Sequence, residues 1–237
     1  MDIFFKLLLA HLIGDFLLQW RNLLSHKFEK KFLSPYLYLH GFIHFALGMI
    51  FVWDISWLVP MVIIAASHTV IDGLKVSFTN EENERILFFI DQILHIVILL
   101  AAWAFVTGSS IDLISSVPNF WLHICALFFV TFPASISIRI FFSKWELPKS
   151  GHESLVGVGA NIGYIERILI YIAVVTGQWN LVGFIVAAKS VFRFSDFNKP
   201  EERKYAEYLF LGTLLSMCIA ILAGLLVMGL TGKLTIS

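Results

Sequence analysis

Four apolar stretches of this chain each carry one pair of potential metal ligands, four residues apart. The pairs are His11 and Asp15, His40 and His44, His68 and Asp72, and Asp91 and His95. On a helix this spacing puts both side chains on one face, about 6 Å apart along the axis. Neutral imidazoles and carboxylates together suit zinc first, and also manganese or iron. A bound divalent ion would lower the pKa of a water and polarise a phosphoryl or carbonyl oxygen, with Asp72, Asp15 or Asp91 acting as base. The pairs use five of the eight histidines in the chain.

The order within the pairs carries more. Where a helix runs inward the order is His then Asp at 11/15 and 68/72, and where it returns the order is His-His or Asp-His. At 1.5 Å per residue, Asp15, His40, Asp72 and Asp91 fall roughly 6 to 9 Å below the cytoplasmic surface. His11, His44, His68 and His95 fall roughly 12 to 15 Å below it. The pairs therefore stack as a shallow ring of three Asp and one His over a deeper ring of four His. Eight such groups suffice for two ions, with some of them orienting the imidazoles of others, as in helix bundles that hold two metals between four helices. The competing reading is polar glue, hydrogen bonds between helices worth about 0.6–2 kcal/mol each. A bis-His haem is a third reading, but three carboxylates have no evident work beside a haem edge.

The elements that must position these groups are membrane helices. Of 237 residues, 58% are hydrophobic and 14% charged, where a soluble domain has about 25% charged. Mean hydropathy is +0.82. The formal net charge is zero, so nothing favours nucleic acid. Cys125 and Cys218 are the only cysteines, too few for a disulfide framework or a cysteine metal site. The first apolar run has no basic region before it and no small-residue cleavage site after it, and is expected to be retained as a helix.

The pattern predicts an all-α polytopic bundle of about eight transmembrane helices, near 3–20, 36–53, 57–76, 86–107, 119–142, 153–176, 179–194 and 205–230. Thirteen of the seventeen Lys and Arg lie in alternate loops: Arg21, Lys27, Lys30 and Lys31; Lys75 and Arg85; Arg139, Lys144 and Lys149; Arg193, Lys199, Arg203 and Lys204. The loops around Asp54, Asp112 and Gln178 have none. The positive-inside rule then puts both termini outside the cytoplasm. Histidine is concentrated early, so two halves are expected, 1–107 with the His/Asp site and 119–237 with intramembrane charges.

Beside the shallow ring stands Lys75, which either holds an anionic substrate group or snorkels to the interface. In the second half Glu166, Arg167, Lys189 and Glu207 either pair with one another or form a basic pocket for a lipid phosphate or another anionic head group.

HLIGDFLLQ, HGFIH, SHTVIDGLK and FIDQILH, in that order, resemble the motif set of a bacterial inner-membrane family known as domain of unknown function 3307. IGYIERILI, AAKSVFRF and AEYLFLGTLLS are similar to segments of its longer members. The resemblance implies a multi-pass protein of the bacterial inner (plasma) membrane and implies no chemistry.

The reading placed first is a membrane-embedded, metal-dependent hydrolase. Its substrate would be a membrane lipid or an anionic lipid-linked compound, with Lys75, or Arg167 with Lys189, holding the negative group. A divalent-metal transporter is the alternative. Against it, the two halves do not repeat, and Leu7–Leu9, Ala46–Phe51, Pro60–Ala65 and Val97–Ala104 offer no polar path outward. A third possibility is a structural protein stapled by metal or hydrogen bonds, with a closed site.

Overall fold

The computed structural model describes residues 1–19, 21–108, 119–144, 158–194 and 200–233. The loop around Asp112, the start of the sixth expected span, Lys149 and Lys199 lie outside the described residues. Among the described residues every regular element is helical. The chain separates into two compact units, Met1–Cys125 and Ala126–Ser237.

The first unit contains α1 (Asp2–Phe16), α2 (Arg21–Lys30), α3 (Pro35–Val52), α4 (Leu58–Phe78) and α5 (Glu84–Thr107). Pro35 opens α3, where its fixed φ suits the first turn and its missing N–H costs nothing. The helix stops at Trp53, whose backbone turns left-handed at φ 54°. The Asp54 carboxylate then accepts the Ser56 amide at 2.9 Å and starts the short turn into α4. The Asn80 side chain accepts the amides of Glu82 and Asn83, which shapes the turn into α5.

Packing closes these helices into a ring. α1 touches α3 and α5, and α4 touches the same two. The burial pattern on each helix explains why. On α5 the buried residues are Asp91, His95, Leu99 and Trp103, a strict four-residue repeat. Ile86, Ile90, Ile93 and Val97 on its other faces are exposed. α4 buries His68 and Asp72 and exposes Val59, Val62, Ile63 and Val70. Polar groups inside and bare aliphatic groups outside is the arrangement of a bundle solvated by lipid.

The second unit contains α7 (Phe132–Phe142), α8 (Val158–Val175), α9 (Trp179–Phe194) and α10 (Pro200–Leu230). α6 (Asn119–Phe129) spans the boundary between the units. α8 packs on α7, α9 and α10 around Ile170, Ala173, Val174, Met217 and Ala220.

Among the described residues, five segments are long and apolar enough to cross a membrane: Pro35–Val52, Ile55–Phe78, Glu84–Thr107, Phe120–Phe142 and Glu207–Leu230. They coincide with five of the eight expected spans. α1 has 15 residues and α9 has 16, about 22–24 Å against a hydrocarbon core of about 30 Å. α8 has 18 and carries Glu166 and Arg167. Two sequence expectations change. The run at 119–142 is two helices, broken at Val130 and Thr131, because Pro133 cannot continue the hydrogen-bond ladder back into α6. The stretch expected as the first basic loop is largely the helix α2.

Candidate metal centre

Each of the four ring helices brings its ligand pair to the interior. His11, His40, His44, His68, Asp72, Asp91 and His95 are all buried. The Asp15 side chain is 7% exposed. Close approach of α1 to α3 depends on Gly14, since a Cβ there would lie 2.5 Å from Cε1 of His44. The glycine of the HLIGD stretch therefore makes room for an imidazole.

Asp15 is the hub. Its Oδ1 lies 3.0 Å from His44 Nε2, 3.1 Å from His40 Nε2 and 3.4 Å from His68 Nε2. Its Oδ2 accepts from Gln92 at 2.7 Å and lies 3.7 Å from His11 Nε2 and 4.0 Å from His95 Nδ1. The four deeper imidazoles lie close together. His68 is 3.7 Å from His44 and 3.9 Å from His95 between ring centroids, and His11 is within 5.6 Å of all three.

Two donor sets converge tightly enough to hold an ion. One is His11, Asp15, His44 and His68, and the other is Asp15, Asp91 and His95. Within each, the donor atoms lie within 4.8 Å of one another. Asp15 belongs to both sets.

His40 and Asp72 stand outside these sets. His40 bonds Asp15 and lies 3.3 Å from His44, between the Nε2 atoms. Asp72 takes Lys27 at 2.6 Å and Lys75 at 3.7 Å. Lys75 also donates to Asp91 at 2.8 Å. Lys75 is thus held between two carboxylates and is only 15% exposed.

Lys27 is the residue that sequence reasoning missed. It reads as one basic loop residue among four, yet it is 1% exposed and enters the site from α2. A signal was present. Leu24, Lys27 and Phe28 share one helical face and are buried or half-buried, while Ser25 and Glu29 on the other face are exposed.

The charges and the unpaired atoms point the same way. Three carboxylates meet two lysines, and both lysines are spent on Asp72 and Asp91. Asp15 is left among neutral-capable rings with no lysine. Seven buried side-chain polar atoms lack a hydrogen bond among the described residues, and five belong here: His11 Nε2, His68 Nε2, His95 Nδ1 and Nε2, and Asp91 Oδ1. Buried polar atoms are nearly always bonded, and most of the exceptions among the described residues fall in this one cluster of groups that could hold an ion. Above it is a cavity of about 20 Å³ lined by His11, His44, His68, His95 and apolar neighbours such as Leu7 and Met61, room for about one water.

The charged residues expected to hold substrate in the second half lie in the other unit. Lys189 pairs with Glu166. Arg167 donates to the carbonyls of Val130 and Thr131 and to the hydroxyls of Ser135 and Ser216.

Comparison with known families gives one match. The family described as "Protein of unknown function (DUF3307)" matches residues 3–144. That is more than half of the chain and takes in all four ligand pairs, and the chain belongs to this family. No curated protein and no solved structure matches the chain.

Proposed function

We propose that this protein is a membrane-embedded, metal-dependent hydrolase, with a divalent ion, zinc foremost and manganese or iron acceptable, held by His11, His44, His68 and Asp15. Asp91 and His95, with Asp15, would hold a second ion. The observation that carries the metal is the set of unpartnered buried ring nitrogens converging on the one carboxylate that no lysine neutralises.

An ion there would supply an activated water and polarise the substrate oxygen. The chain's own groups fit the remaining roles. Where only the first ion is held, Asp91 keeps one buried oxygen unpartnered beside the cluster and would serve as base. Asp72 anchors Lys27 and Lys75, and Lys75, the more exposed of these two cations, would meet a negative group. His40 would hold Asp15 in place by its hydrogen bond.

The substrate class follows from location. The distribution of Lys and Arg supports eight crossings with both termini outside the cytoplasm, and sets Asp15, Asp72 and Asp91 toward the cytoplasmic leaflet. The substrate would be a lipid or a lipid-linked compound, and the membrane a bacterial inner membrane. One observation favours a second reading. The ligand side chains are between 2% and 7% exposed, as in a closed structural metal site that ties four helices together.

The test is metal content. Protein purified in mild detergent, without chelator or His tag, is expected to carry one or two ions per chain by elemental analysis. His44→Ala with His68→Ala is expected to lose them. A metal-free, well-folded wild type would return the cluster to hydrogen-bonded packing. Metal without turnover of lipid phosphoesters or lipid esters would select the structural reading.

A further inference from the structure

The second unit holds a pocket of about 400 Å³ with a different chemistry. Its volume falls in the usual range for small-ligand sites, about 300–1,000 Å³. Among the described residues, three cations line it: Arg139, Arg167 and Lys189. Ser135, Tyr164 and Ser216 line it as well.

Arg167 is the anchor. It is 4% exposed and sits in the middle of α8. The break between α6 and α7 leaves the Val130 carbonyl without a backbone donor, and the guanidinium caps it and adds a second donor to Thr131 O, which also accepts the Ser135 amide. Ser135 and Ser216 take two further N–H groups, and the Tyr164 ring lies 5.6 Å from its central carbon. All of these partners are neutral. No carboxylate is within 4.0 Å of Arg167 among the described residues. A buried guanidinium without a counter-charge is costly in an apolar bundle, and it is fixed in place by neutral acceptors from α7, α10 and the α6–α7 break.

The pocket leaves that charge reachable. A guanidinium has five N–H groups, and four are accounted for here. A Cβ on Gly163 would lie 3.2 Å from Nη1, so glycine keeps that edge open. At Gly159 a Cβ would meet nothing within 4 Å. Lys189 is tied to Glu166, which leaves Arg139, exposed, and Arg167, buried, without a carboxylate partner among the described residues. Ile136, Phe142 and Leu209 supply apolar wall beside the charges.

We propose that this pocket binds a phosphate-bearing anionic group, with Arg167 as the fixed charge and Arg139 and Lys189 as the charges at its sides. The group is either the head of an anionic membrane lipid or a free phosphate compound. The proposal stands on the second unit alone and is independent of the metal site.

The full chain in mild detergent is offered phosphatidic acid, phosphatidylglycerol or phosphatidylcholine, and lipid retention is read by native mass spectrometry. Inorganic phosphate is titrated separately by calorimetry. The expected result is retention of the anionic lipids over phosphatidylcholine, lowered about fivefold by Arg139→Gln and by Lys189→Gln. Metal content should stay at the wild-type level in both variants. Binding of inorganic phosphate, lost in the same variants and without preference among the lipids, would assign the pocket to a soluble phosphate compound. Arg139 is exposed, so its variant reports on binding even if Arg167→Gln fails to fold. Equal retention of all three lipids with no phosphate binding would overturn the proposal. So would wild-type retention in both variants.

Discussion

Lys27 Nζ lies 2.6 Å from Asp72 Oδ2, with both side chains almost fully buried, although 45 positions separate the residues in the chain. This contact ties α2 to α4, while His26 ties it to Ser34 and Tyr36 at the start of α3. It also sorts the carboxylates. Lys27 and Lys75 neutralise Asp72 and Asp91, and the remaining negative charge is concentrated on Asp15, in the middle of the imidazoles. A cation, under the proposed function, would be drawn there and not to the shallow level as a whole.

Removing Lys27 should therefore cost more than the loss of a surface ion pair. Lys27→Met leaves Asp72 buried with Lys75 at 3.7 Å as its nearest cation. Breaking a buried pair from one side costs about 3–5 kcal/mol. Thermal unfolding in detergent should show a large drop for Lys27→Met, and Lys27→Met with Asp72→Leu should recover much of it. Additive losses in the double variant would mean that the two residues do not act as a pair.

Asp15 and Asp72 should separate metal binding from chemistry. Asp15→Asn removes the shared ligand of both donor sets, and elemental analysis should find the metal lost. Asp72→Asn leaves those sets untouched and disturbs Lys27 and Lys75 instead. It should retain metal, in part at least, and lose hydrolysis. Metal loss in Asp72→Asn with retention in Asp15→Asn would invert the assignment of the hub.

The four ligand pairs were legible because i,i+4 spacing is a local property, preserved whatever the helices do next. The five long spans were legible for the same reason, as runs of apolar residues. What the spacing could not convey was which oxygen meets which nitrogen. Asp15 and Asp72 occupy equivalent positions in their pairs, and only packing makes one a hub and the other a lysine anchor. Lys27 was hidden because a basic residue after a span reads as a topological charge. Pro133 was visible, and it breaks the helix at 130–131 while Phe120–Phe142 remains one segment long and apolar enough to cross.

Gly14 supplies a test of the close helix contact at the site. Gly→Ala in a helix interior ordinarily gains about 0.5–1 kcal/mol. Here the added methyl would meet the His44 ring at 2.5 Å. Overpacking of this kind costs about 1–3 kcal/mol, and the ring would have to leave Asp15. Gly14→Ala should bind metal about tenfold more weakly, as when an imidazole loses its orienting partner. Competition with a chromogenic chelator measures this directly. Affinity at the wild-type level would show that His44 can move without harm to the site.

Arg167 should behave as a structural clamp as well as a charge. Its guanidinium closes the break between α6 and α7 by bonding Val130 O and Thr131 O from α8. Arg167→Leu keeps apolar bulk but strips Val130 O of its donor, at about 1–3 kcal/mol for a buried acceptor left unpaired, while Thr131 O keeps the Ser135 amide. Arg167→Lys keeps the charge, but a single ammonium cannot reproduce a planar fork that also reaches Ser135 and Ser216. Both variants should unfold at lower temperature than wild type, Leu more than Lys. Hydrogen exchange should rise first around the α6–α7 break. Elemental analysis of the folded fraction should still find the metal, because every proposed ligand lies in the first unit. An Arg167→Leu protein with unchanged melting and unchanged exchange at the break would show that the Val130 carbonyl finds another partner.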